Sequence, residues 1–168
     1  KALSPTIRLG YLVLPPALAP IFTTAKALAD RHAPGLEQQA LTILLESGAY
    51  ERHIRRSRRR NAERRATLLA ALSRRLGDRI VVSGADAGLH VVLWFRDIAA
   101  ADELAFVAQG RARGIGVYPI GPLYMAPKTA ARPDMAGLVI GYASVEPQEI
   151  VRGVAILAEL VEALSPAP

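Results

Sequence analysis

Apolar residues recur every three or four positions along five segments of the chain, and this spacing is typical of amphipathic helices. The clearest segment lies near the end of the chain, where Ile150, Val154, Leu157 and Val161 fall on one side of a helix. Glycine, proline or serine marks most of the breaks between segments. The pattern predicts helices over residues 16–30, 36–46, 50–76, 97–113 and 146–164.

Short apolar runs rich in β-branched residues predict strands between these helices. They cover residues 9–15, 79–82, 89–95, 114–121 and 137–143. The later strands and the last two helices predict a compact α+β unit with a small mixed sheet from about residue 78 onward. The first strand is expected to be buried, yet no neighbouring strand can precede it here. We therefore expect the opening of the chain to be the back part of a larger domain.

Composition limits the class of protein. With 168 residues, 51% of them hydrophobic, the chain is long enough for one ordinary domain or for two small units. It contains no cysteine, which excludes disulfides, thiolate nucleophiles and cysteine-ligated metal sites. No apolar run approaches the roughly 18 residues of a membrane span, and the N-terminus lacks the layout of a signal peptide. We expect a soluble, cytoplasmic protein.

The net charge of +6 comes from one segment. Residues 51–65 contain eight arginines and two glutamates, a surplus of 8 − 2 = 6, so the rest of the chain is neutral. On a helix over residues 50–76, a narrow apolar seam remains, made of Tyr50, Ile54, Asn61, Leu68, Leu69, Leu72 and Leu76. The charge run favours a solvated helix, and a phosphate-binding groove is the alternative. No aromatic residue interleaves the arginines, which argues against binding of single strands by stacking.

Few residues suit metal or nucleophilic chemistry. His32, His53 and His90 are scattered, and no pair has the spacing of metal ligands, so we expect no metal site. His90 lies inside an apolar strand and is expected to be a structural histidine with its hydrogen bonds satisfied. The glycines of residues 114–116 are too few for a dinucleotide-binding motif, and no Gly-x-Ser-x-Gly nucleophile motif occurs.

The opening of the chain, unlike the segments above, carries two cationic side chains with different chemistry. Lys1 and Arg8 are seven positions apart, with Pro5 between them. A lysine amine can form a Schiff base with an aldehyde, and an arginine can bind a phosphate through two parallel hydrogen bonds. A cofactor with an aldehyde at one end and a phosphate at the other would need such a pair. Pyridoxal phosphate is a molecule of this kind.

The run from Lys1 through Arg8 to Tyr11 resembles the Schiff-base-lysine motif of fold-type I pyridoxal-phosphate enzymes, the aspartate aminotransferase superfamily. Within it, the chain is most similar to the aminotransferase-like half of MocR-type regulators of the GntR superfamily. Further landmarks of that group follow in the same order: Leu36-Glu-Gln38, Ser47-Gly48, the arginine run from Glu51, Ala87-Gly-Leu-His90, Tyr118-Pro119, Tyr124 and Leu138-Val-Ile-Gly-Tyr-Ala143. The resemblance covers nearly the whole chain.

The resemblance implies a fold and its division into parts. The fold would be of the α/β to α+β class and would form the C-terminal part of a pyridoxal-phosphate-dependent transferase. It would comprise the end of the large-domain sheet, a long linking helix and a small α+β domain. Residues 1–50 would be the remnant of the large cofactor-binding domain, residues 51–77 a basic interdomain helix, and residues 78–164 the small domain.

The resemblance also implies a site and partners. Lys1 would be the catalytic residue that forms the Schiff base with pyridoxal 5'-phosphate, and Arg8 would bind the phosphate of this cofactor. Residues that hold the pyridine ring would lie upstream of Lys1. The intact protein would form a homodimer, would bind a small amino compound or effector, and would contact DNA through a separate N-terminal domain.

One position departs from the pattern of the enzymes. Many of them carry an arginine on the final strand of the small domain, where it binds the substrate carboxylate. The matching position here is Val139. Arg132 is nearby, but its place in a loop before Pro133 predicts a solvated side chain. An effector-sensing role, or a substrate recognised in another way, therefore fits as well as amino-acid transamination.

Three functions remain open, and whether the protein is an enzyme is open with them. The first is the effector-binding half of a MocR/GntR-type transcriptional regulator. The second is a free-standing class I/II aminotransferase, and an upstream winged-helix region would distinguish the regulator from this enzyme. The third is a small basic nucleic-acid-binding module without the cofactor, which predicts tight DNA binding with a steep salt dependence.

Overall fold

The structure, a computed structural model, describes residues 3, 7–31, 34–86, 88–124 and 132–164. The chain divides into two compact units, Lys1–Arg58 and Arg59–Pro168. In chain order the elements are α1 (Ala19–Asp30), α2 (Gly35–Glu46), α3 (Ala49–Leu76), β1 (Ile80–Ser83), β2 (His90–Phe95), α4 (Glu103–Ala112), β3 (Tyr118–Pro119), β4 (Ala136–Gly141) and α5 (Pro147–Leu164). Every predicted helix is present, although α4 begins later than predicted, after a 3-10 turn at Ala100–Asp102.

The strands of the second unit form one sheet in the order β1-β2-β4-β3. The prediction of a mixed sheet is wrong, because every strand pair in the described sheet is antiparallel. β1 and β2 are joined by residues 84–89, a link that is too short for the crossover that parallel strands need. The strand predicted over residues 114–121 contracts to Tyr118–Pro119, since proline donates no ladder hydrogen bond and glycine weakens a strand.

The core of the second unit is built from the central strands and from helices α3, α4 and α5. Leu93 on β2 lies opposite Leu138 on β4, and both side chains are fully buried. The rings of Phe95 and Phe106 meet edge to face with their centroids 4.8 Å apart. The helices add a buried stripe each, formed on α3 by Leu68, Ala71, Leu72 and Leu76 and on α5 by Ile150, Val154, Leu157, Ala158, Leu160 and Val161. The predicted apolar face of α5 is therefore confirmed.

The described residues of the first unit form no such core. Helices α1 and α2 have no buried residue, and several large apolar side chains on them are exposed, namely Ile21, Phe22, Leu28, Leu36, Ile43 and Leu45. Helix α2 ends at Glu46 with Ser47 as its C-cap, and the next residue, Gly48, has a φ of +67° that suits a glycine. Large apolar side chains left exposed in such number favour a surface that another part of a protein covers.

The buried strand predicted over residues 9–15 is wrong. The described residues of this segment form no strand, and the side chains of Tyr11 and Val13 are 91% and 88% exposed. A strand is stable only when its backbone N–H and C=O groups pair with a neighbouring strand. Within the described residues of the first unit no strand is available for this pairing.

Candidate functional site

Of the two predicted cofactor residues, only one falls in the described part of the chain. Lys1 lies outside the described residues, so its pairing with Arg8 stays a prediction. The Arg8 side chain is exposed, and no described residue forms a hydrogen bond or ion pair with it. Its φ is +55°, a left-handed conformation that side-chain-bearing residues rarely adopt. Backbone strain of this kind concentrates at functional sites, where it fixes the direction of a side chain.

The chemistry of Arg8 fits the phosphate end of pyridoxal phosphate. A free guanidinium offers N–H donors in a fixed planar fork, which matches the oxygens of a phosphate group. One exposed arginine is a weak anion site by itself, because water screens an exposed charge strongly. Among the described residues, Arg8 would therefore be one ligand of a phosphate site rather than a complete site, and its role stays a prediction.

The second unit contains a buried polar cluster that was not predicted from the sequence. Glu103, the first residue of α4, is only 3% exposed. Its carboxylate accepts hydrogen bonds from the backbone N–H groups of Gly121 and Gly137, each at 2.8 Å. Arg132 donates a third hydrogen bond from Nη2, also at 2.8 Å. A buried carboxylate is stable only with such partners, and here it ties the start of α4 to two distant segments.

Arg132 is not the solvated residue that its loop position predicts. Its side chain is 19% exposed and forms an ion pair with Glu103. Its Cζ lies 5.9 Å from the ring centre of Tyr124, and its Nε is buried without a hydrogen-bond partner among the described residues. The prediction fails because Glu103 is 29 positions away along the chain, and no local pattern links the two residues.

Two glycines make room for this cluster. A Cβ atom on Gly121 would lie 2.7 Å from Oε1 of Glu103. A Cβ atom on Gly137 would lie 2.3 Å from Cγ2 of Ile120 and 2.8 Å from Cζ3 of Trp94. All three distances are shorter than real Cβ contacts, so a side chain at either position would displace the side chains packed against it, whereas glycine fits. Both oxygens of the Glu103 carboxylate accept hydrogen bonds from within the protein. We therefore assign the cluster a positioning role, in which it holds the start of α4 against the segments that contain Gly121 and Gly137.

Strand β4 offers no cationic side chain for a substrate carboxylate. Its residues are Ala136, Gly137, Leu138, Val139, Ile140 and Gly141. Val139 is half-buried, and it lies between Val92 on β2 and Tyr118 on β3 in the sheet register. The position that resembles the carboxylate-binding arginine of the enzymes is therefore an ordinary apolar strand position here.

Part of the arginine run has a structural role in the second unit. Arg64 is 6% exposed, its Nη1 donates a hydrogen bond to the carbonyl oxygen of Ala143, and its Nη2 forms an ion pair with Glu146. Arg60 lies 3.8 Å from the same carboxylate, and Arg65 donates to the carbonyl oxygen of Asp86. These contacts attach α3 to the turn before α5 and to the β1–β2 link.

Neither of the two described histidines belongs to a group that could hold a metal ion. The side chain of His90 is exposed and forms no hydrogen bond with the described residues, so the expectation of a satisfied structural histidine is wrong. His53 lies 3.4 Å from the hydroxyl of Ser57, and His32 is outside the described residues. Among the residues that the structure covers, no group of three or more potential ligands could hold a metal ion. Nor does any helix within these ranges combine the length and apolar character needed to cross a membrane.

The fold of the chain is that of aminotransferases. The α-aminoadipate aminotransferase of Thermus thermophilus, complexed with N-(5'-phosphopyridoxyl)-L-leucine, is 25% identical and matches with a TM-score of 0.79 over 98% of this chain and 40% of that protein. The aromatic aminotransferase Aro9 of C. albicans matches with a TM-score of 0.82 at 18% identity, over 97% of this chain and 37% of its own. The predicted fold, part of a fold-type I pyridoxal-phosphate transferase, is confirmed. No family model matches the chain.

Among proteins with curated sequences, the chain is similar to transcriptional regulators. The probable rhizopine catabolism regulatory protein MocR of Rhizobium meliloti is 30% identical over 154 residues, which are 92% of this chain and 30% of that protein. The HTH-type transcriptional regulator YhdI of Bacillus subtilis is 27% identical over 92% of this chain and 31% of its own length. The predicted resemblance to MocR/GntR-type regulators is thus confirmed. The chain spans about a third of the length of these relatives.

Proposed function

We propose that this chain is part of an aminotransferase-like domain that serves as the effector-binding half of a MocR-type transcriptional regulator. The observation that carries the proposal is the 30% identity to MocR over 92% of the chain, combined with an aminotransferase fold. The relatives are about three times longer, which leaves room for the rest of the cofactor-binding domain and for a DNA-binding domain. The exposed apolar residues of α1 and α2 support this, because a larger domain or a second subunit would cover them.

Lys1 and Arg8 would hold pyridoxal phosphate in the intact protein. The amine of Lys1 would bind the aldehyde covalently, and the guanidinium of Arg8 would bind the phosphate. When bound, the cofactor supplies an electrophilic carbon that an incoming amine can attack. Arg8 supports this assignment, since it is exposed, free of described partners and held at a positive φ. Its contribution would be to fix one end of the cofactor so that the other end meets the lysine.

The recognised molecule would be a small amino compound. The effector would need an amine, because an amine can replace Lys1 in its proposed covalent bond to the cofactor. A carboxylate is not required in the same way, since β4 supplies no cation for it at Val139. A carboxylate group, where the effector has one, would have to be bound from another element. This separates the chain from enzymes that place an arginine at the matching position, and it favours a sensor of amines over a general amino-acid transaminase.

A free-standing aminotransferase is the second candidate. It is supported by the 25% identity to the α-aminoadipate enzyme over 98% of the chain. The two candidates share the cofactor but differ upstream: a regulator carries a winged-helix region, and the enzyme does not. Transfer of an amino group from a donor to a keto acid by the intact protein, at rates above that of free cofactor, would favour the enzyme.

The visible absorbance of the intact protein with pyridoxal phosphate tests the shared claim. We expect a band for lysine-bound cofactor that Lys1→Ala abolishes. Lys26→Ala is the matched control, because Lys26 is an exposed lysine that pairs with Asp30 on α1. Loss of the band in both variants, or in neither, would contradict the assignment of Lys1.

A further inference from the structure

The basic run of α3 contains a group of exposed arginines that the cofactor role does not use. Residues 49–58 hold four arginines and one glutamate, a surplus of 4 − 1 = 3 positive charges. We call Arg52, Arg55, Arg56 and Arg58 the arginine surface; all four side chains are exposed and belong to the first unit. From this surface, and resting on the proposed role in transcription, we propose that the chain itself contacts the phosphate backbone of DNA.

The contacts within α3 divide its arginines into two groups. Arg64 is buried against the carboxylate of Glu146 and the carbonyl oxygen of Ala143, so its charge is satisfied inside the second unit. By contrast, Arg56 and Arg58 form no hydrogen bond or ion pair with any described residue. The first group explains part of the basic run by folding alone. The second group has no such explanation.

The two remaining members of the arginine surface have only exposed partners. Arg52 donates to the carbonyl oxygen of Ser47 at 3.1 Å, which leaves its other N–H groups free. Arg55 lies 3.2 Å from Glu51, and both side chains are about two thirds exposed, at 67% and 69%. An ion pair this exposed is weak and is screened by salt. Neither contact therefore removes the positive charge of the surface.

The spacing of these residues places them on one side of the helix. At 100° per residue they fall within an arc of about 160°, along roughly 9 Å of helix axis. The opposite side carries the half-buried residues Tyr50, His53, Ile54 and Ser57. Each strand of a DNA duplex carries one phosphate per about 3.4 Å of the duplex axis, so a helix of this length that lies along the axis faces two or three phosphates of one strand. The arginine surface is thus long enough to contact a short stretch of DNA backbone.

A solvated helix is the simpler alternative, and the charge pattern argues against it. Surfaces that serve only solubility mix both signs of charge. Here arginines occur at spacings of three and four, as for Arg52 with Arg55 and with Arg56, and like charges at these spacings destabilise a helix. Glu51 is the only acidic residue in this segment. A polyanion that neutralises the cluster would relieve this repulsion, and the planar fork of arginine matches the geometry of phosphate oxygens.

The test is the salt dependence of the association constant K for binding of the intact protein to a labelled DNA duplex of arbitrary sequence. The test variant is Arg56→Gln with Arg58→Gln, and the matched control is Arg74→Gln with Arg75→Gln, which removes two exposed arginines from the last turn of the same helix. We expect the test variant to lower the slope of log K against log salt by roughly 1.8, about 0.9 for each phosphate contact. We expect the control to leave the slope unchanged. Circular dichroism verifies that both variants keep their helix.

Two results would overturn the inference: an unchanged slope in the test variant, or an equal fall in both variants, which would indicate net charge alone. Vesicles of phosphatidylcholine and phosphatidylserine in equal parts form the second arm. Loss of vesicle binding with DNA binding intact would assign the arginine surface to a membrane instead, and would also overturn it. The cofactor band of the same variants separates this outcome from the proposed function, because the band tests Lys1 and not the arginine surface.

Discussion

Replacing Glu103 by glutamine tests the buried cluster most sharply, because the two side chains have the same shape. The carboxylate accepts hydrogen bonds from two backbone N–H groups and from Arg132. An amide offers one acceptor oxygen and one NH2 group, so in either orientation a donor faces a donor. An unsatisfied buried donor costs about 1–3 kcal/mol, and a charge-assisted hydrogen bond is worth about 1.5–3 kcal/mol. We expect Glu103→Gln to lower the free energy of unfolding by about 2–4 kcal/mol.

Urea unfolding followed by circular dichroism measures this change. Glu159→Gln is the control, since Glu159 is exposed on α5 and its loss should change stability by less than about 0.5 kcal/mol. A double-mutant cycle with Arg132→Met gives the coupling, which we expect to be at least about 1 kcal/mol because the two side chains share a buried ion pair. A Glu103→Gln variant as stable as the control, or strictly additive effects in the cycle, would refute the assigned positioning role.

Three further outcomes follow from the structure. Gly137→Ala should destabilise the protein by about 1–3 kcal/mol, because the added methyl group meets the side chains beneath it, whereas Gly141→Ala on the same strand has open space and should be tolerated; thermal unfolding compares the two. Arg8→Ala should weaken binding of pyridoxal phosphate by the intact protein by about tenfold to a hundredfold, the loss of a charged hydrogen-bonding partner. Arg31→Ala, another exposed arginine at positive φ, should leave the Kd unchanged, and equal effects in a titration would contradict the assignment of Arg8. Tyr142→Phe should cost about 1 kcal/mol in urea unfolding, because the hydroxyl donates a 2.8 Å hydrogen bond to a backbone carbonyl, and an unchanged midpoint would contradict that contact.

Local periodicity predicted the helices well. Ile150, Val154, Leu157 and Val161 recur at helical spacing, and all four are buried on α5. The physical reason is that an amphipathic helix makes its own backbone hydrogen bonds, so its sequence contains most of the information about its structure.

The strand at residues 9–15 shows the opposite case. Its apolar, β-rich composition is that of a buried strand, but a strand needs a partner for its backbone groups. The described residues of the first unit supply no partner strand, and Tyr11 and Val13 are exposed. Composition therefore predicted what the segment is suited to, not what it forms in this chain.

The candidate site was only partly within reach of the sequence. Lys1 and Arg8 were proposed from the sequence because one molecule, pyridoxal phosphate, carries the two groups that a lysine and an arginine can bind, and their pairing stays a prediction. Glu103 and Arg132 were missed because their ion pair joins residues far apart in the chain, each unremarkable in its own segment. A buried pair of this kind becomes recognisable only when the fold brings α4 beside the segment before β4.

The most direct test of the central claim is to reduce the intact, cofactor-loaded protein with borohydride and to locate the modified lysine by peptide mass spectrometry. Reduction converts the carbon–nitrogen double bond to a stable single bond, so the cofactor stays attached to the residue that held it. The account predicts phosphopyridoxyl modification of Lys1. Modification of Lys26 or Lys128 instead, or of no lysine in this chain, would contradict it.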